Sequence, residues 1–228
     1  MYRDRRPELM EDPALAAGEH SAALRSLNRA NRWFGVDRGL WRAIGGPAAA
    51  ESASVMELGV GGGSFLEYAP PSGNGRPRPM RIGVDISPRA LEISRRLAVA
   101  DFHRVAADAR RLPMADHSVD FVTCSLLLHH FDAEGVVRIL REAARVARRG
   151  VAIGDLERSR LALAATWLTA RVISRSRVFH VDAPLSVRAA YRPDELSELA
   201  AQAGLRGARV HRAFPFRMIL VWRKGGAT

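Results

Sequence analysis

The chain has 228 residues, 47% of them apolar and 26% charged, which suffices for one hydrophobic core and one domain with elaborations. Its formal charge of +11 is almost all arginine, 34 of 35 basic residues, and residues 158–228 carry most of it, with 13 basic against four acidic side chains. No apolar run reaches the roughly 18 residues that span a bilayer, no leader-like segment opens the chain, and a lone Cys124 without a Cys/His cluster at zinc spacing excludes an intrachain disulfide, so a cytoplasmic chain held by packing and without bound metal is expected.

Residues 1–50 read as a polar helical extension with Glu19–Phe34 its best helix. Strands are predicted at Ser54–Leu58, Met80–Asp85, Phe102–Ala106, Val119–Cys124 and Gly150–Asp155. Between them lie helices near Gly63–Tyr68, Pro88–Ala100 and Ala133–Arg148, the last with Val136, Val137, Leu140, Ala144 and Ala147 at helical spacing. Prolines and glycines make the stretch Pro70–Pro79 a surface loop. Strands alternating with helices imply a parallel sheet covered on both faces.

Residues 158–192 break the alternation. They carry an apolar helical stretch, Leu161–Ile173, bounded by Arg158 and Arg160 at one end and Arg175 and Arg177 at the other, expected to cap the carboxyl edge of the sheet. Residues 193–228 close the chain with a helix near Pro193–Ala203, opened by its proline, and strands near Ala208–Phe214 and Phe216–Arg223 with only Pro215 between them. The whole is read as one domain, its core at residues 53–157.

The chemistry concentrates in Val55-Met-Glu-Leu-Gly-Val-Gly-Gly-Gly-Ser-Phe65, a strand running into a turn with Gly59, Gly61 and Gly63 at alternate positions. Glycines there let a ligand approach the backbone. A dinucleotide fingerprint needs Gly or Ala at position 64, which is Ser64, so the turn alone is a weak signal. Two acids on the same sheet edge strengthen it. Asp85 ends the second strand, where a carboxylate can accept from both ribose hydroxyls, and Asp108 follows the third, where an acid can accept from an adenine amine.

With Glu57-x-Gly-x-Gly-x-Gly63, Asp85, Asp108-Ala109 and Asp120-Phe-Val-Thr-Cys-Ser-Leu-Leu-Leu-His-His-Phe131, residues 53–157 resemble the class I S-adenosylmethionine-dependent methyltransferases, in particular the group like the ubiquinone and menaquinone biosynthesis enzymes. The resemblance implies a single Rossmann-like α/β domain with a mostly parallel seven-stranded sheet. It implies that Gly59, Gly61 and Gly63 hold the methionine part of the cofactor, Asp85 the ribose, and Asp108 with Ala109 the adenine. Ile86 and Ser125, at the ends of the second and fourth strands, are placed with them. Glu57 is expected to orient the turn or touch the sulfonium end rather than act as a base.

Methyl transfer needs alignment above all, and an acceptor that loses a proton gains from a base near neutral pH. His129 and His130, just past the fourth strand, are the candidates; the alternative is that they brace the loop under Phe131. Leu126, Leu127 and Leu128 read as core, and Trp167 as the lid residue over the acceptor; the alternative is that Leu161–Ile173 packs on the helix Glu19–Phe34 with Trp167 as core. A small, largely apolar acceptor (a phenolic, polyketide, quinone or prenylated compound) is the leading expectation. The absent Asn/Asp-Pro-Pro-aromatic motif speaks against DNA. An RNA acceptor on the Arg-rich third, an NAD-dependent reductase on the same sheet, and peripheral contact with an anionic membrane remain open, as does the oligomeric state.

Overall fold

Runs such as Val55-Met-Glu-Leu58 bury every side chain, which a strand does when both faces of its sheet are covered. The structure, a computed structural model, describes residues 1–46, 52–67, 79–97 and 102–225. Residues 70–78 of the expected loop, and the ends expected for two helices at Tyr68 and 98–100, lie outside these. Seven strands, β1 (Val55–Leu58), β2 (Arg81–Asp85), β3 (His103–Ala106), β4 (Val119–Ser125), β5 (Ala147–Leu156), β6 (Arg209–Ala213) and β7 (Arg217–Arg223), form one sheet in the order β3-β2-β1-β4-β5-β7-β6. β1 to β5 run parallel, and β7 pairs antiparallel with β5 and β6. The fold is the expected Rossmann-like one. Strand order reverses between β1 and β4, where such sheets bind ligands beyond the carboxyl ends of their strands.

The helices are α1 (Ala17–Trp33), α2 (Val36–Ile44), α3 (Ser64–Glu67), α4 (Pro88–Leu97), α5 (Ala133–Val146), α6 (Arg160–Ile173), α7 (Arg177–Ala189) and α8 (Pro193–Gln202), with 3₁₀ turns at Leu9–Glu11 and Leu128–His130. Val55 packs with Trp41 of α2, Phe65 and Phe121, whereas Met56 and Leu58 pack with Val122, Leu140 and Leu196 on the other side. Strand alternation therefore puts Glu57 on the α2 side. That placement matters for the site.

Three boundaries depart from the sequence reading. Residues 36–44 are no polar extension: Val36, Leu40, Trp41 and Ile44 recur at helical spacing, and α2 docks them on the sheet. α5 stops at Val146 because Ala147 pairs with Val119 and starts β5. The cap holds a second helix, α7, which the sequence reading passed over; Pro184 lies inside it.

The first residues form a strap. Arg3 donates from Nε to Ala189 O at 2.6 Å and from Nη2 to Phe131 O at 2.7 Å, with its guanidinium 3.9 Å from the Tyr191 ring centre. Asp182 of α7 accepts from the N–H groups of Leu9 and Met10 at 2.8 and 3.0 Å. These contacts tie the N-terminus across the cap and the loop after β4.

Candidate active site

β1 ends at Leu58, and the chain turns through Gly59, Gly61 and Gly63 with φ of 66°, 47° and 80°, left-handed values that cost other residues about 1–2 kcal/mol each. Space adds to conformation at Gly59, where a Cβ would stand 2.8 Å from Leu127 Cδ1. α1 crosses this turn: Asn28 Nδ2 donates to Gly62 O at 3.0 Å and Asn31 Nδ2 to Ser64 Oγ at 3.4 Å. Ser64 Oγ in turn donates to Asp37 Oδ1 at 3.4 Å.

Buried acceptor oxygens gather around the turn. Asn31 Oδ1, Asp37 Oδ2, Glu57 Oε2 and Ser125 Oγ are buried without a hydrogen-bond partner among the described residues. Burial pushes Asp37 up to about 6 and Glu57 well above the ordinary carboxyl range, Glu57 further because Asp37 and Asp85 face it. Acceptors kept from water cost free energy until a donor or cation meets them. Asp85 joins this group: its Oδ2 accepts from Gly61 N at 3.0 Å and its Oδ1 from Ser87 N at 2.9 Å, which ties the end of β2 to the turn. Beside it Ile86 is 68% exposed, an apolar platform at the rim. At the end of β3, Asp108 is forked by Arg110, whose Nη2 is 2.6 Å from Oδ2, and the Ala109 side chain is packed in the core.

Past β4 the chain makes a second site. Leu126 adopts φ of 53°, held by its N–H on Gly154 O at 2.9 Å, and the 3₁₀ turn then presents both histidines. His129 Nδ1 lies 2.7 Å from Asp155 Oδ1 at the end of β5, and its backbone N–H donates to Asp155 Oδ2 at 3.2 Å. Burial raises the Asp155 carboxyl, but the charge and hydrogen bond of His129 outweigh it and hold the group below its ordinary range. In a neutral ring, a proton on Nδ1 facing the ionised Asp155 leaves the lone pair on His129 Nε2.

That Nε2 faces Glu8 Oε1 across 3.7 Å. His130 is arranged alike, with Nδ1 2.6 Å from Glu11 Oε1 and Nε2 4.0 Å from Glu8 Oε2. Two ring nitrogens and a carboxylate converging within 4.8 Å need a proton or a cation between them. Burial lifts Glu8 to about 7, against the His130 charge and a hydrogen bond from Ser186, so Glu8 retains that proton up to about neutral pH.

Glu8, His129 and His130 form part of the wall of a cavity of about 450 Å³. The rest is mostly apolar, with Leu27 on α1 and Phe34 just after it, Ala170 and Ile173 from α6, Phe179 from α7 and Phe216 before β7. The glycine turn and this mostly apolar cavity thus flank one loop, residues 125–131.

Comparison with known proteins agrees. Residues 56–153 match a family described as a methyltransferase domain. A demethylmenaquinone methyltransferase of Roseiflexus sp. (strain RS-1) is 30% identical to this chain, the match covering 75% of the chain and 76% of the relative. The chain belongs to the class I S-adenosylmethionine-dependent methyltransferases. The methyltransferase shares its fold with an S-adenosylmethionine-dependent methyltransferase from Aquifex aeolicus (TM-score 0.60, 16% identity, 89% of this chain and 97% of the other). It also shares it with human N-acetylserotonin methyltransferase (TM-score 0.66, 14% identity, 92% of this chain and 57% of the other).

S-adenosylmethionine is the enzyme's cofactor, and the residues present fit it. Its ammonium and sulfonium are cations, and the unpartnered oxygens of Asn31, Asp37 and Glu57 by the glycine turn are the acceptors such charges require. Two expectations about the acceptor side need correction. Trp167 does not face the cavity: Ala165, Thr166, Thr169, Ala170 and Ile173 share the inner face of α6, whereas Trp167 is 51% exposed beneath Arg171. Of the three leucines read as core, only Leu128 is fully buried; Leu126 lines the cavity and Leu127 presses on Gly59. The sequence reading missed Asp155, although an acid ending a parallel strand is the signal that selected Asp85. It missed Asn28, Asn31, Asp37, Glu8 and Glu11 as well, which no local pattern marks.

Proposed function

We propose that the enzyme methylates a small, largely apolar acceptor at an acidic O–H or enolisable C–H, a quinol-type ring fitting best, with His129 as the base. The observation that carries this reading is His129, backed by Asp155, in the wall of the mostly apolar cavity. S-adenosylmethionine supplies, when bound, a methyl group already activated on sulfur. The chain then has to align the acceptor and receive its proton. His129 Nε2 offers the lone pair, and Asp155 fixes the ring and stabilises the charge it acquires, as an acid orienting a histidine does in other sites. Gly59, Gly61, Gly63 and Asp85 hold the cofactor in this reading, with Ile86, Asp108, Ala109 and Ser125 along its adenosine and methyl ends.

Relatives named for demethylmenaquinone support a quinone-type acceptor. An RNA acceptor draws less support, because some C-terminal arginines serve inside the fold: buried Arg158 donates to Ala190 O at 2.7 Å and pairs with Glu195. The test is incubation with methyl-labelled cofactor and separate pools of reduced naphthoquinones, simple phenols and RNA, read by mass spectrometry. Label on a quinol or phenol is the expected result; label on RNA alone would reject the reading.

A further inference from the structure

α6 is apolar on two faces. Its inner face lines the cavity and packs Ala170 and Ile173 against Ala30 and Phe179. Its outer face carries Leu161, Trp167, Leu168 and Val172, which are 73%, 51%, 59% and 73% exposed. A surface helix of a soluble domain normally has one apolar stripe, and a second one marks a partner. Two other segments add to it at the cavity rim, Trp33 at the end of α1 and Phe214 between β6 and β7, 71% and 94% exposed.

Charge identifies the partner. Residues 158–181 hold five arginines and no acid. Arg160, Arg171, Arg175 and Arg177 are exposed, and among the described residues none of the four is in an ion pair. Arg171 stacks 3.8 Å from the Trp167 ring centre, so cation and aromatic occupy one spot on the outer face. A second copy of the chain would set these arginines against their own kind across a two-fold contact. An anionic bilayer matches both properties at once, phosphates meeting the arginines while Leu, Val and Trp enter the headgroup–acyl boundary. The helix has 14 residues and lies on such a surface rather than crossing it.

We infer that the outer face of α6 seats the enzyme on an anionic lipid surface, next to the rim of its own acceptor cavity. This docking surface stands on its own observations; that it delivers an acceptor with an apolar tail rests on the function proposed above.

The test is flotation of the full chain with vesicles of phosphatidylcholine alone and of phosphatidylcholine mixed with phosphatidylglycerol. Binding to the anionic vesicles only, weakened by salt and accompanied by a blue shift of tryptophan emission, is the expected result. The double substitution Leu168→Glu with Val172→Glu should lower that partition by about tenfold or more, with S-adenosylmethionine affinity retained as proof of folding. No flotation, or flotation indifferent to the double substitution, would overturn the proposal. So would a wild-type dimer in solution that the substitution splits, since the face would then belong to a second copy. Methylation of a short, soluble phenol without lipid reports on the proposed function separately, so the two readings can fail independently.

Discussion

The glycine-turn side and the cavity side of this enzyme are built in opposite ways. Gly59 to Gly63, Asp85, Asp108 and Ser125 follow successive parallel strands in chain order, and each is placed by the backbone immediately before it. The cavity side is gathered from both ends of the chain: Glu8 from the strap, with Glu11 bonded to His130, Leu27 and Phe34 on and just after α1, Ala170 and Phe179 from the cap, Phe216 from the turn before β7. The loop after β4 touches both, Leu127 at Gly59 and Leu126, His129 and His130 in the cavity wall. One side depends on local turns and strand ends, the other on tertiary convergence, and perturbations should separate along that line.

The largest separation is expected at His129. Replacing it with Ala should lower turnover by about 10²–10⁴-fold while cofactor affinity stays nearly constant. Asp155→Asn should follow in the same direction and shift the pH profile of turnover, because the ring loses the acceptor that keeps its proton on Nδ1. Unchanged turnover in both variants would leave the pair a structural brace.

On the cofactor side, Asp85→Ala removes the acceptor at the end of β2, and Gly61→Val puts a branched side chain at φ of 47°. Asp85→Ala should weaken S-adenosylmethionine binding by about 1.5–3 kcal/mol, and Gly61→Val should weaken it as well, both measured by calorimetry on folded protein. Intact affinity in both would break the assignment of the turn.

A smaller, pH-dependent effect is expected from the strap. Glu8 binds its proton more tightly folded, at about 7, than at its ordinary 4.5. Its stabilising contribution is therefore complete below pH 4.5 and is lost as pH rises through about 7. Thermal unfolding between about pH 5 and about pH 8 should show a loss that is smaller in Glu8→Gln by on the order of 2 kcal/mol, the remainder being carried by the other raised carboxyls, Asp37 and Glu57. A chelator that alters this profile would show that a divalent cation, rather than the proton, joins Glu8 to the two histidines.

The smallest effect belongs to Trp167→Ala, which should change stability by less than about 0.5 kcal/mol because the side chain is half exposed and faces away from the cavity. A loss of several kcal/mol in chemical denaturation would return Trp167 to the core, and a raised acceptor KM would return it to the lid.

The sheet, its strand ends and the glycine turn were legible in the sequence because each follows from local regularities. An apolar run marks a buried strand, a glycine marks a left-handed turn, and an acid after a strand marks the ligand edge. The same regularities reached His129 and His130 but could say nothing of their partners. Glu11 stands 119 positions from the histidine it bonds, and Asp182 holds Leu9 across 173. No periodicity spans such separations. The apolar content of Leu161–Ile173 likewise made Trp167 the lid residue, whereas the docking of α6 on Ala30 and Phe179 turned its small residues inward and its tryptophan out. Local sequence determined where the glycine turn and the acid-ended strands lie, since strand ends and turns are set by neighbouring residues. Which side chains line the apolar cavity was decided by tertiary packing alone, because that cavity exists only where distant segments meet.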